Sequence, residues 1–165
     1  MRVTLSLCPR SEEDTMGRAD ISMTEPEIAQ LLATGRDLQV ATIGRDGQPH
    51  LTTLWYTLVD GLVTFRSFTK SQRIVNLTRD ARLTVLVETG DSYDELRGVM
   101  IQGTAELDTD PERVMAVYLA VTTKMEGPHV TAEAVEALFG RFRHKNTVVT
   151  VHPTRVVSWD HRRGR

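Results

Sequence analysis

Residues 38–68 read LQVATIGRDGQPHLTTLWYTLVDGLVTFRSF, and the two Asp-Gly pairs inside this stretch decide the fold. Asp46-Gly47 separates the apolar, partly β-branched run 38–43 from 51–59, and Asp60-Gly61 separates 51–59 from 62–68. Asp-Gly supplies the positive φ that a tight hairpin requires, so the spacing predicts three strands with very short connections. Connections this short make neighbouring strands antiparallel. The segment therefore reads as a meander, and a brief helix over 70–78 follows it, with Ile74 and Leu77 facing inward.

Working outward, Thr24-Glu25-Pro26-Glu27 is a capping box that opens a short helix with the stripe Ile28, Leu31 and Leu32. Gly35 is placed to end that helix in a left-handed conformation. Residues 1–22 are polar and aperiodic and read as a loose leader. Met16 and Met23 are both plausible starts, and the ordered domain is expected over 23–165. Downstream, 83–87 and 99–107 read as strands around the polar loop 89–96. Thr109-Asp110-Pro111-Glu112 repeats the capping logic before a helix carrying Val114, Val117, Tyr118 and Val121. A further helix over 131–142 follows the breaker Gly127-Pro128, and two strands, 146–151 and 155–159, flank His152-Pro153. Seven strands and three or four helices without β-α-β alternation predict a mainly β (α+β) fold. Its expected form is a closed or nearly closed antiparallel barrel with flanking helices.

A chain of 165 residues and 18.5 kDa suits one domain, and 40% hydrophobic with 25% charged residues excludes a disordered or collagenous chain. No apolar run is long enough to span a bilayer. The single cysteine, Cys8, excludes an internal disulfide or a cysteine-rich zinc site, and the default compartment is the cytoplasm. A formal charge of −2 gives no bulk attraction to nucleic acid or membrane. The distribution is uneven, however. Arg66, Lys70, Arg73, Arg79 and Arg82 against Asp80 give the segment 66–82 a charge of +4 on an acidic background, which suits a small anionic ligand.

The histidines, His50, His129, His144, His152 and His161, show no metal-ligand spacing, and no G-x-S-x-G elbow, G-x-G-x-x-G turn or P-loop occurs. The strongest local feature is Ser67-Phe68-Thr69-Lys70-Ser71-Gln72-Arg73, where a strand hands over to a helix. A helix start offers unpaired amides and a partial positive charge. Lys70 and Arg73 are expected on one helix face, beside the Thr69 and Ser71 hydroxyls, and can grip phosphate. The same residues fit a solvated basic helix face equally well. The strand Pro49-His50-Leu51-Thr52-Thr53-Leu54-Trp55-Tyr56 offers an edge that can read the rim of a flat heterocycle, or is a plain barrel strand with Trp55 in the core. The tail Ser158-Trp159-Asp160-His161-Arg162-Arg163 reads as solvated, with Trp159 packed for stability.

The order of "GQPHLTTLWY" (47–56), "SFTKSQRIVNLTRDAR" (67–82) and "SWDHR" (158–162) resembles the pyridoxamine 5′-phosphate oxidase-like split β-barrel family. Within it, the chain looks most like the coenzyme F420 (deazaflavin)-dependent oxidoreductase branch. The resemblance covers nearly all of the chain from Met23 to Arg163. It implies a homodimer with cofactor in two grooves at the subunit interface. Lys70, Ser71, Gln72 and Arg73 would hold the cofactor phosphate, with Ser67 beside them. His50, Leu51, Thr52 and Thr53 would border the tricyclic ring, and Trp159 would approach from the other subunit. Vitamin B6 oxidases carry an arginine in the ring-contacting strand and a C-terminal R-x-H; here Thr52 and Trp159-Asp160-His161-Arg162 stand instead. The implied activity is hydride transfer between the deazaflavin and a small organic substrate. FMN in the same place, or a non-catalytic carrier of such a cofactor, are the alternatives. No acid–base pair is assigned.

Overall fold

The computed structural model describes residues 21–164; expectations for the leader over 1–20, Cys8 and Met16 included, lie outside the described residues. The elements are α1 (Glu25–Thr34), β1 (Asp37–Ile43), β2 (Pro49–Trp55), β3 (Thr57–Val59), β4 (Leu62–Phe68), α2 (Gln72–Arg79) and β5 (Arg82–Thr89). They are followed by β6 (Arg97–Asp108), α3 (Pro111–Glu126), α4 (Ala132–Phe139) and β7 (Asn146–Asp160), with short 3₁₀ turns at Tyr93–Glu95, Gly140–Lys145 and His161–Gly164. No helix among the described residues is long and apolar enough to cross a membrane.

The seven strands form one antiparallel sheet in the order β2-β1-β5-β6-β7-β4-β3. Its two edges, β2 and β3, are separated in the chain only by Tyr56. One linking residue reaches roughly 7 Å between its neighbours, so the sheet has to curl until its edges approach. The result is the antiparallel split-barrel architecture with flanking helices that the sequence predicts. The expected single strand 51–59 is two: its first part pairs with β1 and its second with β4. Residues 38–68 are therefore two hairpins at opposite edges and no meander. At the switch, Tyr56 is fully buried and its hydroxyl donates to the Leu32 carbonyl at 2.6 Å.

The opposite correction applies to the C-terminal strands, which are continuous as β7. His152-Pro153 is absorbed by a register shift against β6 between Gln102 and Gly103. A Cβ on Gly103 would stand 2.2 Å from the His152 carbonyl oxygen, so only glycine fits there. The total of seven strands stands, with one boundary gained and one lost.

The Asp60-Gly61 hairpin is as read: both residues take positive φ, 51° and 81°. Helix ends depart more. In α1 the Glu27 carboxylate accepts from both the Thr24 amide and its hydroxyl at 2.7 Å. Gly35 ends that helix extended (φ −60°, ψ 140°), not left-handed. Glycine is required there by space, since a Cβ would meet the Val87 side chain at 2.4 Å. The cap of α3 is Asp110, one residue later than Thr109, and it accepts from the Arg113 amide at 2.8 Å. The helix expected over 131–142 is α as far as Phe139 and tightens to 3₁₀ beyond it.

Apolar residues fill two spaces. Inside the curl, Leu38, Val40, Tyr56, Phe65, Val85, Val99 and Val149 pack with Ile28, Leu31 and Leu32 of α1 and Ile74 and Leu77 of α2. Outside, α3 and α4 cover the sheet through Val114, Val117, Tyr118, Val121 and Val135 against Val148. Val148 and Val149 face opposite ways because strand side chains alternate. Burying each such side chain contributes about 1.5–3 kcal/mol, and this two-sided packing fixes α2 against β1 and β4.

Candidate functional site

Strand β4 ends at Phe68 and α2 starts at Gln72, so Lys70 lies in the turn before the helix and not on it, as the expected span 70–78 had it. Lys70 is exposed and unpaired among the described residues. Ser71 is the N-cap by position, but its hydroxyl pairs with the Ser67 hydroxyl at 2.9 Å and makes no cap bond. The first amides of α2 are thus left without a capping side chain, and a helix start with free N–H groups attracts anions.

Arg73 turns inward from α2. Its Nε and Nη2 donate to the Thr52 hydroxyl at 3.0 and 2.6 Å, and its Nη1 donates to Ser67 Oγ at 2.7 Å. Thr52 is on β2 and Ser67 on β4, strands far apart in the sheet order, so one guanidinium bridges a seam that no backbone ladder closes. Burial pushes its pKa below the ordinary arginine value, yet a guanidinium stays charged in proteins. No carboxylate pairs with it among the described residues; its partners are neutral hydroxyls.

The +4 segment does not converge on this corner. Arg66 points to the opposite face and lies 3.6 Å over the Tyr118 ring, Arg79 donates to the Ile43 carbonyl, and Arg82 pairs with Asp80 at 2.7 Å. Hydrogen bonds from Arg82 hold the Asp80 carboxyl down at about 2. Lys70 and Arg73 are what remains. Thr69 is also turned away, its hydroxyl bonded to that of Thr147 at 2.9 Å.

Gln72, expected at the site, is joined by two residues that the sequence reading missed, Asn76 and Thr42. Gln72 Nε2 donates to Asn76 Oδ1 at 2.9 Å, and Asn76 Nδ2 donates to Thr42 Oγ1 at 3.0 Å. Asn76 is fully buried. A polar residue between the inward-facing Ile74 and Leu77 was the signal for it. Gln72, Asn76 and His50 line an open cleft of about 520 Å³ together with Arg45, Gln48 and the loop between β1 and β2. His50 Nδ1 is buried with no hydrogen-bond partner among the described residues, an unsatisfied group next to the corner.

Along β2, His50 and Thr52 are half-buried while Leu51, Thr53 and Trp55 face out. Trp55 is 48% exposed, which corrects the reading of it as a core residue, and Leu51 is 62% exposed. Phe68 and Val75, also half exposed, flank the corner. Among the described residues β2 pairs only with β1, which leaves its outer backbone edge open there.

Trp159 is not in this corner. It is half-buried over Gly98, where a Cβ would come within 2.2 Å of its ring. From Thr147, beside Ser67, it lies twelve residues on along β7, roughly 40 Å of strand. The tail is also less solvated than expected. Asp160 is buried, hydrogen bonds from Arg162 hold its carboxyl below the usual range, and Arg163 pairs with Glu27 of α1. The site residues thus fall into two groups: Ser67, Ser71, Gln72 and Arg73 with Thr52 and His50 at one end, and Trp159 at the other.

Several solved structures share this architecture. A conserved hypothetical protein from Mycobacterium tuberculosis is 42% identical, with a TM-score of 0.81 over 90% of this chain and 92% of that one. An F420 reductase is 23% identical, with a TM-score of 0.60 over 77% of this chain and 93% of its own. An FAD-binding protein from Mesorhizobium loti is 17% identical, with a TM-score of 0.61 over 83% and 94%. The last two likenesses are of fold. No curated protein matches the chain. The sequence profile of pyridoxamine 5′-phosphate oxidase matches residues 24–160, and with the split-barrel sheet and the strand-to-helix corner in place the chain belongs to that family.

Proposed function

We propose that the protein is an oxidoreductase that binds coenzyme F420, a deazaflavin, by its phosphate at the corner between β4 and α2, and reduces a small organic acceptor. The observation that carries this reading is Arg73: a half-buried cation held by three hydrogen bonds to neutral hydroxyls, beside a helix start whose cap is turned away. A charge placed so, with no carboxylate paired to it among the described residues, suits an anion that arrives with the ligand. Arg73, Ser71, Ser67, the exposed Lys70 and the amides near Gln72 would hold the phosphate. The open edge of β2, at His50, Leu51 and Thr53 and the backbone of Thr52, would border the ring, and the cleft beside His50 leaves room for the rest of the cofactor. The likeness to an F420 reductase supports the choice of cofactor.

When bound, the reduced cofactor supplies a hydride; the protein's residues supply position, electrostatics and exclusion of water. Trp159 lies twelve residues along β7 from Thr147 and outside the corner of its own chain, so its place in the site would come from a second copy. Exposed Leu51, Trp55, Phe68 and Val75 around the corner suit burial by that copy. A homodimer with cofactor at the interface is therefore part of the proposal.

FMN carries a phosphate at the corresponding end of its side chain, and both would use the same corner. Parallel titrations with F420 and FMN, followed by cofactor fluorescence, decide between them. The expected result is tighter binding of F420. Tight FMN binding without F420 affinity overturns the cofactor assignment. F420 binding with no reduction across an acceptor panel would instead favour a carrier.

A further inference from the structure

The Thr52 hydroxyl receives two of the three hydrogen bonds that fix Arg73, a side-on grip along one edge of the guanidinium. A guanidinium has five N–H donors in a rigid plane. Thr52 takes one from Nε and one from Nη2, and Ser67 takes one from Nη1. Two donors remain, one on Nη1 and one on Nη2, in a plane held on both sides. That plane is set from β2, a different strand from the one that leads into α2. Without Thr52, Nε and Nη2 would seek other acceptors and the side chain would regain rotamer freedom, which costs affinity when an anion has to re-order it.

We infer that Thr52 is a positioning residue for the anion site: its hydroxyl aims the free N–H groups of Arg73 at the phosphate of the bound cofactor. It acts through Arg73 and not on the ring. This rests on the phosphate reading above, and it predicts an effect confined to the phosphate.

Thr52→Val keeps the shape of the side chain and removes the acceptor; Thr52→Ser restores the acceptor. The probes are FMN and riboflavin, which share a ring and differ by the phosphate. Positioning predicts that Thr52→Val weakens FMN about tenfold, leaves riboflavin unchanged, and is rescued by Thr52→Ser. A loss of equal size for both ligands, or no loss for FMN, overturns it. A second measurement needs no cofactor. The Nε–H proton of Arg73 should be protected from solvent exchange in the ¹⁵N NMR spectrum of the wild type and of Thr52→Ser, and exposed in Thr52→Val. If the wild type binds neither flavin, the phosphate reading for FMN fails while the clamp is still judged by that proton. An unprotected proton in the wild type overturns the clamp.

Discussion

The amino ends of α2 and α3 start from the same sequence grammar and end in opposite states. In α3, Asp110 accepts from the Arg113 amide, Glu112 adds a second acid to the first turn, and the helix start is satisfied from within. In α2, Ser71 sits at the cap position, but its hydroxyl is engaged by Ser67, the first turn holds no acid, and Lys70 and Arg73 stand beside it. A helix start with its own acid repels anions, and one with an averted cap and two cations attracts them. Cap residues identify where a helix begins; which way the cap side chain turns decides whether that end is structural or available.

The comparison breaks first at Arg73. Arg73→Ala removes a charge-assisted contact, so cofactor affinity should fall by about 1.5–3 kcal/mol, roughly tenfold or more. Lys70→Ala should show a smaller loss in the same direction. Unchanged affinity in both variants would place the phosphate elsewhere.

Ser71→Asp converts the α2 start into the α3 kind. A carboxylate there caps the helix and suits its dipole, worth about 0.5–1 kcal/mol, while repelling phosphate. Thermal unfolding should shift up as binding is lost; a variant that still binds as tightly as the wild type contradicts the assignment. The converse change, Asp110→Ala, should cost about 1 kcal/mol of stability, a Tm lower by roughly 2–4 °C, with cofactor titrations unaffected.

Lys124 is the control for an unpaired cation with no ligand role. It donates to the Leu32 carbonyl at 3.1 Å and lies 3.5 Å from the centre of the Tyr56 ring. Burial pushes its pKa down to about 8 from 10.5. Between those values the unfolded chain binds more protons than the folded one, so stability rises with pH from about 8 upward. Burial raises the Tyr56 pKa above its ordinary 10. The folded chain then retains a proton that the unfolded one loses, and the trend turns downward above pH 10. Lys124→Met should flatten the rise between pH 8 and 10 in thermal melts. A rise of unchanged size assigns it to another group.

What the sequence makes legible follows from how local each signal is. The Asp60-Gly61 turn and the Thr24–Glu27 cap depend on neighbouring residues, and both form as read. The break at Tyr56 and the continuity through Pro153 do not, because both depend on partners remote in the chain: Leu32 for the one, Gly103 for the other. At the site, residue types near Ser67–Arg73 are visible in one dimension. The dispersal of Arg66, Arg79 and Arg82 is not, since a strand's alternation and a helix's turn send each side chain to a different face. Trp55 misleads for a similar reason: an aromatic in a strand reads as core until the open edge beside it is known.

The single residue between β2 and β3 also bears on how the chain reaches this state. Position 40 must find 85, and position 64 must find 150, before the curl can close. Local hairpins can form within about 1–10 μs, yet neither has a complete sheet to join until the last strand has been synthesised and docked. Such remote pairing predicts slow folding, in the millisecond-to-second range. It also leaves β2, with its outward Leu51 and Trp55, as the stretch most in need of cover while the chain waits.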